Sequence, residues 1–226
     1  MLKKIIIAID GPAGSGKSTL AKKIAEKLGF MYLDTGAMYR AITAEAIKKN
    51  AVDDINSVIE ISRKSDLQLF PRNGKTEVFI NGRDVTTEIR SIEVSSKVSE
   101  VSVIPEVREE LVRMQRIIAA NQNVVAEGRD TTTVVFPNAD IKVFLKADIE
   151  KRAERRLKDF NDMNAGLKIA DIKQNIIKRD KIDSEREVSP LTKAEDAIEI
   201  DTSNITVEEE LDIILKKVEE IKSVEN

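Results

Sequence analysis

The apolar run Ile5-Ile6-Ile7-Ala8-Ile9 leads through Asp10 into Gly11-Pro12-Ala13-Gly14-Ser15-Gly16-Lys17-Ser18. Leu20, Ile24 and Leu28 then recur at every fourth position, with Ala21 and Ala25 beside them. A short continuous apolar run suits a parallel strand covered on both faces, and the later spacing is one face of a helix. Gly29 is a natural stop for that helix. The chain therefore opens strand, glycine-rich loop, helix. The loop matches G-x-x-x-x-G-K-[ST] in the context that gives this pattern meaning. Glycines let backbone N–H groups wrap a phosphate without Cβ clashes, and the helix N-terminus adds positive potential. Lys17 is placed to reach β- and γ-phosphates, and the Ser18 hydroxyl to ligate Mg²⁺. Asp10 is placed either to ligate that ion through water or to cap the loop.

The rest of the chain repeats the alternation. Met31 to Leu33, Val124 to Ala126, Ile141 to Leu145 and Ala197 to Ile200 read as strands. Ala37 to Lys49, Pro105 to Ala120, Asp148 to about Asp159, Ala170 to about Arg186 and Val207 to Lys222 read as helices. The last is the clearest: Thr206 and Glu209 form a capping box, and Val207, Leu211, Ile214, Val218 and Ile221 trace one stripe. This predicts an α/β fold, a doubly wound parallel sheet of about five strands flanked by helices. Residues 66–90 break the rhythm. Leu67 to Phe70, a Pro-Arg-Asn-Gly turn and Glu77 to Ile80 predict a small antiparallel β insertion. Asn161 to Gly166 reads as a mobile polar loop between two charged helices.

Composition removes whole classes of chemistry. There is no cysteine and no histidine. Thiolate catalysis, Cys-ligated metals, Ser-His-Asp triads and His general bases are excluded. What remains is carboxylates, Lys, Arg, hydroxyls, backbone N–H groups and a hard metal ion. A net charge of −3 argues against a dedicated nucleic-acid binder. No apolar run approaches the ~18 residues of a membrane span, and the stretch after Lys3 and Lys4 is too short for a signal peptide. A cytoplasmic monomer with no membrane partner is expected.

A second cluster, Leu33-Asp34-Thr35-Gly36-Ala37-Met38-Tyr39-Arg40, falls where open α/β sheets bind ligands, at the carboxyl end of a strand. An arginine one turn into the following helix suits a second phosphate. Together with Asp10-Gly11-Pro12-Ala13-Gly14-Ser15-Gly16-Lys17-Ser18-Thr19, this cluster closely resembles the bacterial cytidylate kinases. So do Gly128-Arg129-Asp130 with Thr133-Val134-Val135-Phe136-Pro137, and Arg179-Asp180 with Asp183, Arg186, Pro190 and Leu191. The resemblance covers nearly the whole chain. It implies a P-loop NTPase core (1–35, 105–150 and 185–226), a nucleoside-monophosphate-binding region with the β insertion (about 36–104) and a short lid (about 151–184).

The resemblance also implies roles. Gly11 to Thr19 would bind ATP. Thr35, Arg40 and Arg129, joined by Arg186, would contact the phosphate of CMP or dCMP. Ser99, Arg108 and Asp130 would read cytosine, and Arg179 and Asp183 the ribose. Lys17, Arg152 and Arg156 would serve catalysis, with at least one of Arg152, Arg155 and Arg156 touching the transferring phosphoryl group. The chain departs from the family pattern at two places. Thr132 stands where a glycine is usual, so a reshaped loop is expected if that glycine served a positive φ. Glu127 replaces a more usual Asp.

The implied chemistry needs no histidine. A CMP phosphate oxygen is already anionic, so the barrier is one of position and charge. Cytosine offers an amino donor at C4 and acceptors at N3 and O2, which suits a carboxylate beside Arg and Ser donors. Two alternatives remain at this point: a P-loop kinase for another small acceptor, such as another nucleoside monophosphate or shikimate, and a non-kinase P-loop switch. Against the switch, the Asn-Lys-x-Asp base-reading motif of GTPases is absent.

Overall fold

The computed structural model describes residues 4–72, 75–161 and 168–224. Five parallel strands form the main sheet: β1 (Ile6–Asp10), β2 (Met31–Asp34), and three that follow much later in the chain. A helix follows each of the first two strands, α1 (Lys17–Leu28) and α2 (Thr35–Lys48). Next come α3 (Ile55–Lys64) and the hairpin β3 (Leu67–Arg72), β4 (Lys75–Ile80), with the short β5 (Arg83–Asp84) on its edge. Then α4 (Ile92–Ser102) and α5 (Pro105–Ala119) lead to β6 (Val124–Gly128) and β7 (Ile141–Lys146). Helices α6 (Ile149–Asn161) and α7 (Ile169–Glu185) precede β8 (Ile198–Asp201) and α8 (Val207–Val224). The strand order is β2-β6-β1-β7-β8. The first strand is thus central, and its loop opens where the order turns back on itself, the usual ligand crevice of such sheets.

Alternation along the strands explains why both faces are covered. Ile7, Ile9, Val125, Val143 and Leu145 pack with Leu20, Ile24, Ile214 and Val218 of α1 and α8. Ala8, Leu33, Val124 and Ala126 pack on the other side with α2, α4 and α5, through Met38, Ile42, Val98 and Leu111. The expected antiparallel insertion is present, with Leu67 opposite Ile80 and Leu69 opposite Val78. The capping box also forms: Thr206 N–H donates to Glu209 Oε2 at 2.7 Å, and Glu209 N–H returns to Thr206 Oγ1 at 3.3 Å. Helix α2 begins at Thr35 rather than Ala37, because Asp34 caps it by accepting from Ala37 N–H at 2.8 Å. Of the expected polar loop, Asn161 ends α6 and 162–166 lie outside the described residues.

One buried acid has no role in this packing. Glu210 is 2% exposed on the same face of α8 as Ile214 and Val218, and its Oε2 has no hydrogen-bond partner among the described residues. Burial pushes its pKa up to about 7, against a partial pull from Arg155. An acid with a raised native pKa binds its proton in the folded state first, so stability falls as pH rises from the unfolded value of about 4.3 towards 7. Glu210→Gln removes that loss. Its melting temperature should match the parent near pH 4 and exceed it at pH 8, by ~1–3 kcal/mol of stability. Equal gains at both pH values would contradict a buried ionisation.

Candidate active site

All five parallel strands deliver residues to one rim. After β1 comes the glycine-rich loop, in which backbone conformation and space both demand glycine. Gly11 has φ +152°, and a Cβ there would lie 2.2 Å from the Leu145 carbonyl oxygen. Gly14 has φ +76°, and its Cβ would lie 2.8 Å from the Arg152 carbonyl oxygen. No side chain caps the N-terminus of α1, so its first N–H groups stay available to an anion. Ser18 and Thr19 are exposed on that first turn. Lys17 is buried and folded over the loop, donating to the Pro12 carbonyl at 2.8 Å and Ser15 Oγ at 3.4 Å. Burial, then the nearby Arg129 charge, push its pKa down to about 7. A loop of this kind holds a cation that is short of anions.

The ends of β2 and β6 supply the facing wall. Arg40 folds back onto Asp34, with Nη2 donating to Oδ2 at 2.9 Å and Oδ1 at 3.2 Å. Thr35 donates to the Glu127 carbonyl at 2.7 Å. Arg129 Nε donates to Asp183 Oδ2 at 2.8 Å. Burial opposes the Arg129 charge, and Asp183 beside it more than offsets that. Arg179 is compensated less: burial, then Arg129 and Arg156, pull its pKa down to about 10 against a partial opposing pull from Asp183, and its buried Nε has no hydrogen-bond partner among the described residues. Lys17, Arg129, Arg156 and Arg179 are therefore one cationic cluster. Phosphate oxygens would relieve its internal repulsion.

A second group lies deeper. Asp130 accepts from Arg108 Nη2, and Arg186 Nη2 stands 3.8 Å from its other oxygen. Arg108 also donates to the Ser102 carbonyl at 2.9 Å and lies over the Tyr39 ring, 5.3 Å from its centroid. Ser99 is buried on α4 near this group's Ser102, whose hydroxyl donates to the Ser99 carbonyl at 3.0 Å. Arg186 is held by the Ser189 carbonyl at 2.7 Å, and its buried Nη2 has no hydrogen-bond partner among the described residues.

Thr132 is not at positive φ; the residues other than glycine with positive φ are Asn50, Asn81 and Ser189 among those described. Residues Thr131–Val135 form a single π-helical turn instead. Thr132 N–H and Oγ1 both donate to Asp10 Oδ2, at 2.7 and 2.6 Å. Thr131 N–H donates to Asp10 Oδ1 at 2.9 Å, and its hydroxyl joins it. Four donors occupy a carboxylate that has about four acceptor positions. Asp10 thus fixes the loop that carries Arg129 and Asp130. Glu127 accepts from the Tyr32 hydroxyl at 2.5 Å.

Arg152 and Arg155 of α6 are tied to the glycine-rich loop, the first directly and the second through Thr202. Arg152 donates to the carbonyls of Ala13 and Ala147, at 3.1 and 3.0 Å, and to Asp180. Arg155 donates to Thr202 Oγ1 and carbonyl at 2.8 and 2.6 Å, and Thr202 in turn donates to the Ser15 carbonyl at 3.0 Å. Sequence reasoning attached no role to Asp34, Asp180, Thr202 or Tyr32. Asp34 and Asp180 stood inside recognised motifs, whereas Thr202 and Tyr32 carried no signal of their own.

The cytidylate kinase family model matches residues 7–220. A cytidylate kinase of Geobacillus sp. (strain WCH70) is 49% identical over 97% of this chain and 99% of its own length. Those of Caldanaerobacter subterraneus subsp. tengcongensis (50%, covering 94% and 93%) and Bacillus subtilis (46%, covering 97% and 99%) are similar to the same extent. An uncharacterized protein from Eubacterium ventriosum shares the fold, with a TM-score of 0.55 at 17% identity over 96% of this chain and 99% of that one.

Proposed function

We propose, because this chain belongs to the cytidylate kinase family, that it transfers the γ-phosphoryl group of ATP to CMP or dCMP, giving ADP and CDP or dCDP. The observation that carries this reading is the cationic cluster of Lys17, Arg129, Arg156 and Arg179 between the glycine-rich loop and the buried Arg108–Asp130 pair. Gly11 to Thr19 hold the donor phosphates. Thr35, Arg40, Arg129 and Arg186 take the acceptor phosphate, Arg40 by leaving Asp34. Arg179 and Asp183 meet the ribose, and Ser99, Arg108 and Asp130 the base. The acceptor region is about 36–104 and the lid about 151–184. Both nucleotides are polyanions, so charge stabilisation and alignment supply the catalysis, and no proton need be removed by a base.

Magnesium fits these residues through one protein ligand. It favours phosphate oxygens and retained waters over an all-protein cage, and no cluster of three carboxylates is found among the described residues. The exposed Ser18 hydroxyl fits that requirement, whereas the oxygens of buried Asp10 are occupied by Thr131 and Thr132. When bound, the ion would neutralise charge on the β- and γ-phosphates. Among the described residues, no helix is long and apolar enough to cross a membrane. We place the enzyme in the cytoplasm, acting as a monomer on small molecules alone, without nucleic-acid or membrane partners.

A coupled assay of ADP release tests the reaction. ADP should form from ATP only when a nucleoside monophosphate is added, fastest with CMP or dCMP and far more slowly with AMP and UMP. ADP release without an acceptor would favour a nucleotide switch, and release with an unrelated acceptor another kinase.

A further inference from the structure

Asp180 lies one turn before Asp183 on α7, so both carboxylates project from one side of the helix. Asp183 serves Arg129, whereas Asp180 turns to the glycine-rich loop. Its Oδ1 accepts from Ala13 N–H at 3.2 Å, and its Oδ2 accepts from Arg152 Nη1. The same Nη1 donates to the Ala13 carbonyl at 3.1 Å. Both polar backbone groups of Ala13 are thus held by side chains from α6 and α7. The Ala13 methyl packs with Ala153, Ile172 and Ile176 in a small apolar cluster separate from the two main cores. At Gly14, the α6 backbone approaches too closely for any larger residue.

We propose that Asp180 is a positioning residue for the donor phosphates, setting the glycine-rich loop through the Ala13 peptide. A loop that binds phosphate by its N–H groups is useful only if those groups point inward before the ligand arrives. Within itself this loop has a Ser15 N–H to Pro12 carbonyl bond of 3.4 Å and the Lys17 Nζ bond to the same carbonyl at 2.8 Å, neither of which fixes the Ala13 peptide. The peptides at Ser15 and Ala13 are held from outside, by Thr202 and by Asp180 with Arg152. Arg152 also neutralises Asp180, so a carboxylate can sit beside a phosphate site without repelling the ligand. The helix that presents Asp183 and Arg179 to the acceptor side therefore also shapes the donor side.

This inference rests on the ATP-binding reading of the loop, and binding experiments separate the two. Binding of ADP and of CMP is measured by calorimetry for the full chain and for Asp180→Ala and Asp180→Asn, with melting temperatures alongside. Asp180→Ala should weaken ADP about tenfold or more while CMP stays within about twofold. Asn retains an acceptor for Ala13 N–H and should recover part of the loss; it is the variant read if the alanine variant does not fold. Unchanged ADP affinity in the variants overturns the inference. Equal weakening of ADP and CMP with a lowered melting temperature also overturns it, since that is the signature of a purely structural tie. A parent protein that binds no ADP overturns the ATP reading itself, and the inference with it.

Discussion

Lys17→Met is expected to lower kcat by at least two orders of magnitude while leaving the fold intact. Lys17 is buried, its Nζ rests on the Pro12 carbonyl and Ser15 Oγ, and burial with Arg129 has pulled its pKa to about 7. The buried amine thus gives up its proton more readily than an exposed lysine until phosphate oxygens arrive. Its full charge is recovered in contact with those oxygens, where charge develops during transfer, and losing such a donor costs ~3 kcal/mol or more. Stability should move little. Methionine has similar length and no charge to desolvate, and the ammonium gains only one hydrogen bond of ordinary length in the free protein. Steady-state kinetics with CMP and a thermal melt on the same preparation check both halves. Turnover near the parent value would remove Lys17 from the phosphate site.

The sheet and the glycine-rich loop were legible because local and global signals agree there. Ile5 to Ile9 is apolar on both faces since α1 and α8 cover one side and α2 and α5 the other, and the observed strand Ile6–Asp10 differs only at its ends. The hairpin was legible through its short alternating runs, but Pro71 and Arg72, expected in the turn, extend β3 and pair with Thr76 and Lys75, while Asn73 and Gly74 lie outside the described residues. Helices α3 and α4 were not. In α4 the face buried against α2 includes Ser99 and Ser102 beside Val94, Val98 and Val101, so small polar residues dilute the apolar stripe. Its start depends on Ser91, which accepts from Val94 N–H at 3.2 Å, one serine among several in the segment.

The site was legible by residue type and less so by posture. Arginines at 40, 129, 179 and 186 could be named as anion contacts, and the structure brings Arg129 and Arg179 together with Lys17. Which arginines are already engaged could not be read from spacing. Arg152 and Arg156 share a helical face, yet Arg152 is turned onto Ala13 and Asp180. Thr132 shows the same gap. Glycine at a loop position suggests a need for positive φ, but here the turn closes as a π-helical turn and the threonine hydroxyl bonds to Asp10, 122 residues away. Hydrogen bonds between residues so far apart in sequence leave no periodic trace.

The sharpest test of substrate choice is at Asp130. Its carboxylate is buried with Arg108, with Arg186 near the second oxygen, in the group proposed to meet the acceptor base. A carboxylate accepts from the amino group at C4 of cytosine and repels the oxygen that uracil carries there. Asp130→Asn keeps the shape and one acceptor but can turn its amide N–H₂ towards that oxygen. We expect kcat/KM for CMP to fall much more than for UMP, closing the gap by ~1–3 kcal/mol, about fivefold to 150-fold. Asp130→Ala should narrow the gap too, with a larger loss of stability than Asp130→Asn, because buried Arg108 then loses its hydrogen-bond acceptor as well as its counter-charge. Measuring both substrates in parent and variants decides the matter. If CMP and UMP activities fall by one common factor in Asp130→Asn, the carboxylate serves to hold Arg108 and Arg186, and base reading passes to Arg108 or Ser99.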